Sequence, residues 1–170
     1  MVCIPPFPAI CWSYADCNLA CLWDGFHLNS GAKIVGGTGV LLIGNDAFAW
    51  RPWEAGNGEL KLVNEKGQWE VPDEAWGFLE LVWPKPGRLS SSDVSTMLKC
   101  GLDLLILGLG KQMRPLSPKT SQYVHSLGIR IDIQDTRNAA AQFNLLATER
   151  GSQVAAALIP LGWEEGVGVK

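Results

Sequence analysis

Leu102-Asp103-Leu104-Leu105-Ile106-Leu107-Gly108-Leu109-Gly110 opens the stretch that decides the fold. Its apolar run, closed by glycines, is typical of a strand that is buried on both faces of a parallel sheet. Two further runs have strand character, because residues 129–133 alternate apolar and polar side chains and residues 154–159 are continuously apolar. The stretch therefore predicts three strands in succession.

The segments between these strands carry helix signals. Ser117-Pro118 predicts a helix start, because serine caps the first turn and proline needs no backbone N–H there, and Gly128 ends that helix. Asp135-Thr136 caps a longer helix that Gly151 ends, with an apolar face formed by Ala139, Ala140, Phe143, Leu146 and Ala147. Two βαβ units in succession predict parallel strands joined by right-handed crossovers.

The N-terminal half of the chain is predicted to be rich in β-strands. Apolar or alternating runs separated by turn residues indicate strands at 24–29, 40–43, 47–50 and 76–83, with a hairpin around residues 64–67. Gly36-Gly37-Thr38-Gly39 precedes a strand, and no Gly-Lys-Ser/Thr follows, so these glycines predict a bulged hairpin rather than a phosphate-binding loop. Ser90 and Asp93 stand at capping-box spacing and predict a short helix at 90–98.

Together these patterns predict an α/β protein in which a β-rich N-terminal layer packs beside a parallel βαβαβ core, in a single three-layer domain. The domain is expected to span residues 24–160. Residues 1–23 differ from the rest, because Asp16 is their only charged side chain, and we expect them to be loosely ordered. Residues 161–170 are expected to form a short C-terminal tail on the surface.

The composition excludes several classes of protein. With 47% hydrophobic and 18% charged residues, the chain of 170 residues is not disordered throughout. The formal net charge of −3 argues against general nucleic-acid binding. No apolar run reaches the roughly 18–20 residues that a membrane span needs, so any membrane association is expected to be peripheral. The surplus of bases after residue 80 is either a steering field for a charged partner or ordinary solvated surface.

The five cysteines do not predict a disulfide framework, because their number is odd and Cys100 stands far from the other four. Cys17 and Cys21 have a spacing that zinc sites use, but a zinc site needs about four ligands and no second cysteine pair follows. His27 and His125 are the two histidines of the chain. We therefore expect no metal site and a reducing compartment.

The loops that follow the first two parallel strands, 108–115 and 134–138, should form one rim, because the carboxyl ends of parallel strands lie at the same edge of a sheet. Glycines, three cations and a helix N-terminus would suit an anion or an acidic stretch of a partner there. The candidate residues are Gly108, Gly110, Lys111, Arg114, Asp135, Thr136, Arg137 and Asn138. The alternative is that the glycines only turn the chain, that Asp135 or Thr136 only caps a helix, and that the cations face water.

No catalytic arrangement stands out in the sequence. Gly108-Leu109-Gly110 lacks the third glycine of a dinucleotide-binding loop, and Pro115 prevents an immediate helix. Ser121 and His125 are one helical turn apart, but no Gly-x-Ser-x-Gly nucleophile motif accompanies them. We therefore expect a protein that is not an enzyme and needs no cofactor. A small ligand-binding or enzymatic domain that uses the rim is the alternative.

Tryptophan is abundant, and Trp50-Arg51-Pro52-Trp53 places two indoles around an arginine in a predicted loop. Tryptophan and arginine favour protein contacts. Trp50 alternates with Phe48 along a strand and could equally pack in the core. Trp53 is therefore the candidate anchor for a protein partner.

Four segments carry a resemblance to a known family: Asp103-Leu-Leu-Ile-Leu-Gly-Leu-Gly110, Leu127-Gly-Ile-Arg-Ile-Asp-Ile-Gln-Asp-Thr136, Asn138-Ala-Ala-Ala-Gln-Phe-Asn144 and Ala157-Leu-Ile-Pro160. Asp24-Gly-Phe, Gly39-Val-Leu-Leu-Ile and Phe48-Ala-Trp50 precede them in the same order as in that family. Over residues 24–160 the chain resembles the NADH dehydrogenase (ubiquinone) 1 alpha subcomplex assembly factor 3 family.

The resemblance implies a mitochondrial assembly factor for respiratory complex I that binds immature subunits of the quinone-reducing arm. It also implies two kinds of partner, a second complex I assembly factor and iron–sulfur subunits of the peripheral arm, on the matrix side of the inner membrane. Two features depart from the family. Leu109 stands where the family commonly has threonine, and residues 1–23 supply no Arg-rich presequence.

Overall fold

The structure, a computed structural model, describes residues 19–29, 31–43, 46–55, 61–76 and 102–169. Its strands are β1 (Leu19–Cys21), β2 (Phe26–Leu28), β3 (Lys33–Ile34), β4 (Gly39–Ile43), β5 (Asp46–Trp50), β6 (Leu104–Leu109), β7 (Arg130–Gln134), β8 (Val154–Ile159), β9 (Trp163–Glu164) and β10 (Gly168–Val169). Its helices are α1 (Pro118–Ser126) and α2 (Thr136–Arg150), and 3-10 turns occupy Pro52–Glu54, Asp73–Trp76 and Gly151–Gln153.

Five strands form the central sheet, in the order β5-β4-β8-β6-β7. β6 lies parallel to both of its neighbours, with Leu104 opposite Arg130 of β7 and opposite Val154 of β8. β4 runs antiparallel to β8 and to β5, so the N-terminal half supplies one side of the same sheet. The mixed α/β fold with a parallel βαβαβ core, which the sequence predicts, is confirmed.

β6 is buried on both faces because the two helices lie on opposite sides of the sheet. Leu105 and Leu107 share a core cluster with Val124 of α1, whereas Ile106 shares the other cluster with Phe143 of α2. All five side chains are fully buried. Burying one such side chain stabilises the fold by about 2 kcal/mol, which explains why the strand is apolar at successive positions.

Both helices begin at the capping residues that the sequence predicts. The Ser117 hydroxyl accepts a hydrogen bond from the Thr120 backbone N–H at 3.3 Å. The Asp135 carboxylate accepts one from the Asn138 N–H, also at 3.3 Å. After α1, Gly128 has a φ of +78°, a conformation that glycine adopts without strain, and the chain turns there into β7.

The N-terminal layer is the antiparallel sheet β1-β2-β3, which lies on the α2 side of the central sheet. Leu19, Phe26 and Leu28 of this small sheet are buried in the same cluster as Phe143. β1 lies within the segment for which the sequence predicts loose order, so that segment supplies a strand to the fold.

Two parts of the chain differ from the sequence-based expectation. Trp76 ends a 3-10 turn and is buried, so no strand starts at this residue. Trp163 is also buried and opens the β9–β10 hairpin, so the C-terminal segment packs into the domain instead of forming a surface tail. The remainder of the predicted 76–83 strand and the predicted helix at 90–98 lie outside the described residues.

Candidate functional site

Thr136, the first residue of α2, joins the carboxyl ends of β6 and β8. Its side-chain oxygen accepts a hydrogen bond from the Gly110 backbone N–H at 2.9 Å and donates one to the Ile159 carbonyl at 2.8 Å. The Thr136 N–H donates to the Gly110 carbonyl at 2.9 Å. Because Thr136 is fully buried and its hydroxyl is already engaged, this predicted rim residue acts as a structural clamp.

The two rim glycines serve different purposes. A Cβ on Gly108 would lie 2.5 Å from a Leu158 methyl group and 3.0 Å from the Thr136 Cα, so a side chain there would prevent α2 from approaching the sheet. Gly110 has a φ of +95°, which turns the chain out of the sheet, and a Cβ there would make only ordinary contacts. Close packing therefore requires the first glycine, and backbone conformation requires the second.

The other predicted rim residues belong to two separate surfaces. Asp135 caps α2, and its carboxylate also accepts a hydrogen bond from the Asn138 side chain. Arg137 is exposed and lies close enough to the Cys21 thiol to act on it electrostatically. Lys111 and Arg114 belong to a different surface, where they line a cleft.

The Cys21 thiol is half-buried at the start of α2, and its sulfur lies 3.7 Å from the Thr136 carbonyl oxygen. Burial raises the pKa of this thiol from 9.0 to about 11, against the opposing effect of the Arg137 cation. The thiol is therefore neutral at physiological pH, which makes it a weak nucleophile and a weak metal ligand. Within the described residues no group of three or more His, Cys, Asp or Glu side chains could hold a metal ion.

A cleft of about 320 Å³ opens at the carboxyl ends of β6 and β8. The loop after β6 forms one wall and the segment after β8 forms the other, which is where α/β sheets commonly place ligands. The lining residues are Trp23, Val63, Trp69, Leu109, Gly110, Lys111, Gln112, Arg114, Leu161, Trp163, Glu164 and Glu165. We call this feature the tryptophan cleft.

The two cations of the tryptophan cleft have weak partners. The Lys111 ammonium lies 5.8 Å from the centre of the Trp23 ring, within the range of a cation–π contact. The Arg114 guanidinium donates to the Gln112 side-chain carbonyl at 3.3 Å. Neither forms an ion pair with a carboxylate in the part of the chain that the structure describes.

Three indoles in contact with one another lie against the cleft. Trp163 lies between Trp53 and Trp69, with ring centres 5.6 Å apart in both pairs. Trp53 is only 6% exposed, so the prediction that it is a surface anchor is wrong. Proline at the start of the 52–54 turn places this indole against the C-terminal segment, and its area stabilises the core instead.

Two buried indole N–H groups in this cluster have no acceptor in the described structure. They belong to Trp69 and Trp163, both of which line the cleft. An unpaired buried donor costs about 1–3 kcal/mol. The Trp76 indole N–H, which does not line the cleft, is unpaired in the same way, so these groups do not by themselves mark a site.

Glu165 connects the β9–β10 hairpin, which is the C-terminal wall of the cleft, to an earlier segment of the chain. One of its carboxylate oxygens accepts hydrogen bonds from the backbone N–H groups of Leu62, at 3.1 Å, and Val63, at 3.0 Å. These two hydrogen bonds join the segment between β9 and β10 to residues about a hundred positions earlier in the chain. Trp163 belongs to the same hairpin.

Residues 19–159 match the family described as "Protein of unknown function (DUF498/DUF598)". The chain belongs to this family. Among curated relatives, NADH dehydrogenase [ubiquinone] 1 alpha subcomplex assembly factor 3 of Xenopus tropicalis is 38% identical over 73 residues, covering 43% of this chain and 39% of that protein. The same assembly factor of Mus musculus is 39% identical over 64 residues, covering 38% of this chain and 34% of that protein. The chain thus aligns with less than half the length of these relatives, and the resemblance predicted from the sequence is confirmed.

Solved structures share the fold of this family member. A Mth938-like domain from Bordetella pertussis has a TM-score of 0.55 and 18% identity, covering 98% of this chain and 96% of that one. An outer membrane protein from Bartonella henselae has a TM-score of 0.52 and 17% identity, covering 85% and 95%. At such identities the likeness concerns the fold alone, and it supports a single α/β domain.

The Ser121 hydroxyl and His125 Nδ1 lie 3.3 Å apart on α1, but His125 is exposed and has no carboxylate partner among the described residues. Among those residues no helix is long and apolar enough to cross a membrane.

The sequence analysis does not identify Trp23, Trp69 and Trp163 as site residues. These are single tryptophans that lie far apart in the chain, so they form no motif.

Proposed function

We propose that this protein is an assembly factor for mitochondrial respiratory complex I and that it binds immature subunits of the quinone-reducing arm. The observation that carries the proposal is the similarity to assembly factor 3 of several vertebrates, at 36–39% identity over the matched stretches. One family model matches residues 19–159, so the stretches that resemble the assembly factors lie within a single domain of this chain.

The site chemistry agrees with a binding role. The described residues bring together indoles, two cations and a hairpin wall in an open cleft, which suits recognition of a protein surface. Among these residues the thiol nearest the predicted rim has a raised pKa, and the Ser121–His125 pair has no third member to orient it. We accordingly propose work by binding, without bond chemistry.

We extend the proposal to partners and location on the basis of the same resemblance. We propose that a second complex I assembly factor and iron–sulfur subunits of the peripheral arm are the binding partners. The place of action would be the matrix side of the mitochondrial inner membrane, with peripheral attachment. We propose that two residues of the predicted rim, Lys111 and Arg114, contribute to partner binding.

Removal and rescue of the protein tests this function. Cells that lack it should accumulate incomplete complex I on native gels, and NADH:ubiquinone activity should fall while the other respiratory complexes stay intact. Re-expression of the full chain should restore the mature complex. Normal amounts of mature complex I in the depleted cells would contradict the proposal.

A further inference from the structure

Two large apolar side chains are exposed, one in the lining of the tryptophan cleft and one in the loop that forms its wall. Trp23 is 53% exposed and lines the cleft. Met113 is 71% exposed, and its chain neighbours Gln112 and Arg114 both line the cleft. Tryptophan and methionine are enriched at protein interfaces, because each buries a large area when a partner covers it. The mouth of the cleft therefore has the composition of an interface centre.

The loop that carries Met113 also supplies positive charge. Lys111 and Arg114 form no ion pair with a carboxylate among the described residues, so their charges are available to an incoming group. A carboxylate is the protein side chain that complements both cations, and arginine binds it through two parallel hydrogen bonds. Charge complementarity thus favours an acidic occupant on this side of the cleft.

Two carboxylates lie on the opposite wall, and they limit where an acidic group can sit. Glu165 is engaged with the Leu62 and Val63 N–H groups, so its oxygen serves the hairpin attachment. Glu164 is exposed on the same wall. The positive charges of the cleft therefore lie on the Lys111 and Arg114 side, where an acidic group would bind, while apolar groups meet the indoles.

We propose that the tryptophan cleft and its mouth, formed by Trp23, Lys111, Met113 and Arg114, are the docking surface for a protein segment that carries a carboxylate beside a large apolar side chain. This inference rests on the proposed function and names the surface through which it would be exercised. The exposed indole and methionine favour a protein over a small molecule, because a small ligand inside the cleft would leave Met113 uncovered.

Site-specific crosslinking in mitochondria tests the surface. The full chain carries the photoreactive residue p-benzoylphenylalanine in place of Met113. The control carries it in place of Leu145, which is 61% exposed on α2, on the opposite side of the central sheet. We expect adducts with a complex I subunit or assembly factor from position 113, at least ten-fold more than from position 145. The crosslinked peptide should contain Asp or Glu.

A charge-matched pair of variants tests the cations. K111Q/R114Q removes both from the cleft, whereas K33Q/K119Q removes two exposed lysines that do not line it. The cleft variant should capture at least ten-fold less of the complex I proteins, and the control should capture the wild-type amount. Circular dichroism confirms that both variants fold.

The outcomes separate the two proposals. Wild-type chain that captures no complex I protein overturns the function and this inference together. Normal capture by wild type and by K111Q/R114Q, or equal crosslinking from positions 113 and 145, overturns the docking surface and leaves the function intact. A co-purified small molecule that K111Q/R114Q loses, without a protein adduct at 113, would assign the cleft to a small ligand and overturn the inference.

Discussion

The side-chain amide of Asn144 pairs with both backbone groups of Leu19. The Leu19 N–H donates to the Asn144 carbonyl oxygen at 2.9 Å, and the Asn144 amide donates to the Leu19 carbonyl at 3.1 Å. A helix residue thus takes the place that a neighbouring strand would occupy. This relationship fixes β1 to α2 across 125 positions of the chain.

Replacing Asn144 with alanine should loosen β1. The loss of two partly buried hydrogen bonds should reduce the free energy of unfolding by about 1–3 kcal/mol. Urea denaturation measures the change, and amide hydrogen exchange at Leu19 should accelerate. Glu149→Ala, at an exposed position of the same helix, is the control and should have little effect. Unchanged exchange at Leu19 would show that the amide pairing contributes nothing.

The clamp at Thr136 predicts a larger effect. Thr136→Val keeps the shape of the side chain but leaves the Gly110 N–H and the Ile159 carbonyl without their buried partner. We expect a loss of about 2–4 kcal/mol, because two buried groups become unpaired. Thr148→Val removes an exposed hydroxyl from the same helix and should cost under about 1 kcal/mol. Similar melting temperatures for the two variants would contradict the clamp.

The two rim glycines should respond differently to alanine. Gly108→Ala puts a methyl group 3.0 Å from the Thr136 Cα of α2 and 2.5 Å from a Leu158 methyl group, so we expect α2 to shift and the protein to lose about 1–3 kcal/mol. Gly110→Ala meets no clash but adopts a left-handed conformation, at a cost of about 1–2 kcal/mol. Chemical shifts of α2 amides distinguish the cases, because they should change widely in the first variant alone. Wide changes in both would refute the distinction.

Releasing Glu165 should free the C-terminal wall of the cleft. Glu165→Ala leaves the Leu62 and Val63 N–H groups without this acceptor, so the β9–β10 hairpin should open and Trp163 should gain solvent. Tryptophan fluorescence should shift to longer wavelength, and stability should fall by about 1 kcal/mol. Glu65→Ala, in an exposed turn, should leave the spectrum unchanged. An unshifted spectrum for Glu165→Ala would remove the attachment role.

The raised pKa of Cys21 has a measurable consequence. In a variant that keeps Cys21 and replaces the other four cysteines with serine, iodoacetamide at pH 8 should react roughly 100-fold more slowly with folded than with unfolded protein. Because folding raises the pKa from 9.0 to about 11, the neutral thiol is favoured in the native state. The contribution of this pKa difference to the free energy of unfolding is complete below pH 9, and it is lost as the pH rises towards 11. Equal alkylation rates would contradict the burial.

The core could be predicted from the sequence because its signals are local. Residues 102–159 contain apolar runs of strand length, and Ser117 and Asp135 are helix caps that act within three residues. The cleft could not be predicted in this way. Trp23 and Trp163 meet the loop after β6 only through tertiary packing, and no periodic pattern marks that meeting.

Trp53 shows the limit of composition as a guide. An indole next to proline in a loop suggests an exposed anchor, but loop residues are buried when another segment covers them. Here the covering residue is Trp163, from a segment that the sequence marks as a surface tail. Among the described residues the exposed indole is Trp23, whose surroundings in the sequence give no comparable signal.

Affinity capture of the tagged full chain from mitochondria, with quantitative mass spectrometry against an untagged control, is the most direct test of the proposed assembly role. We expect enrichment of iron–sulfur subunits of the peripheral arm together with a second complex I assembly factor. Recovery of the protein without any complex I subunit or assembly factor would contradict it.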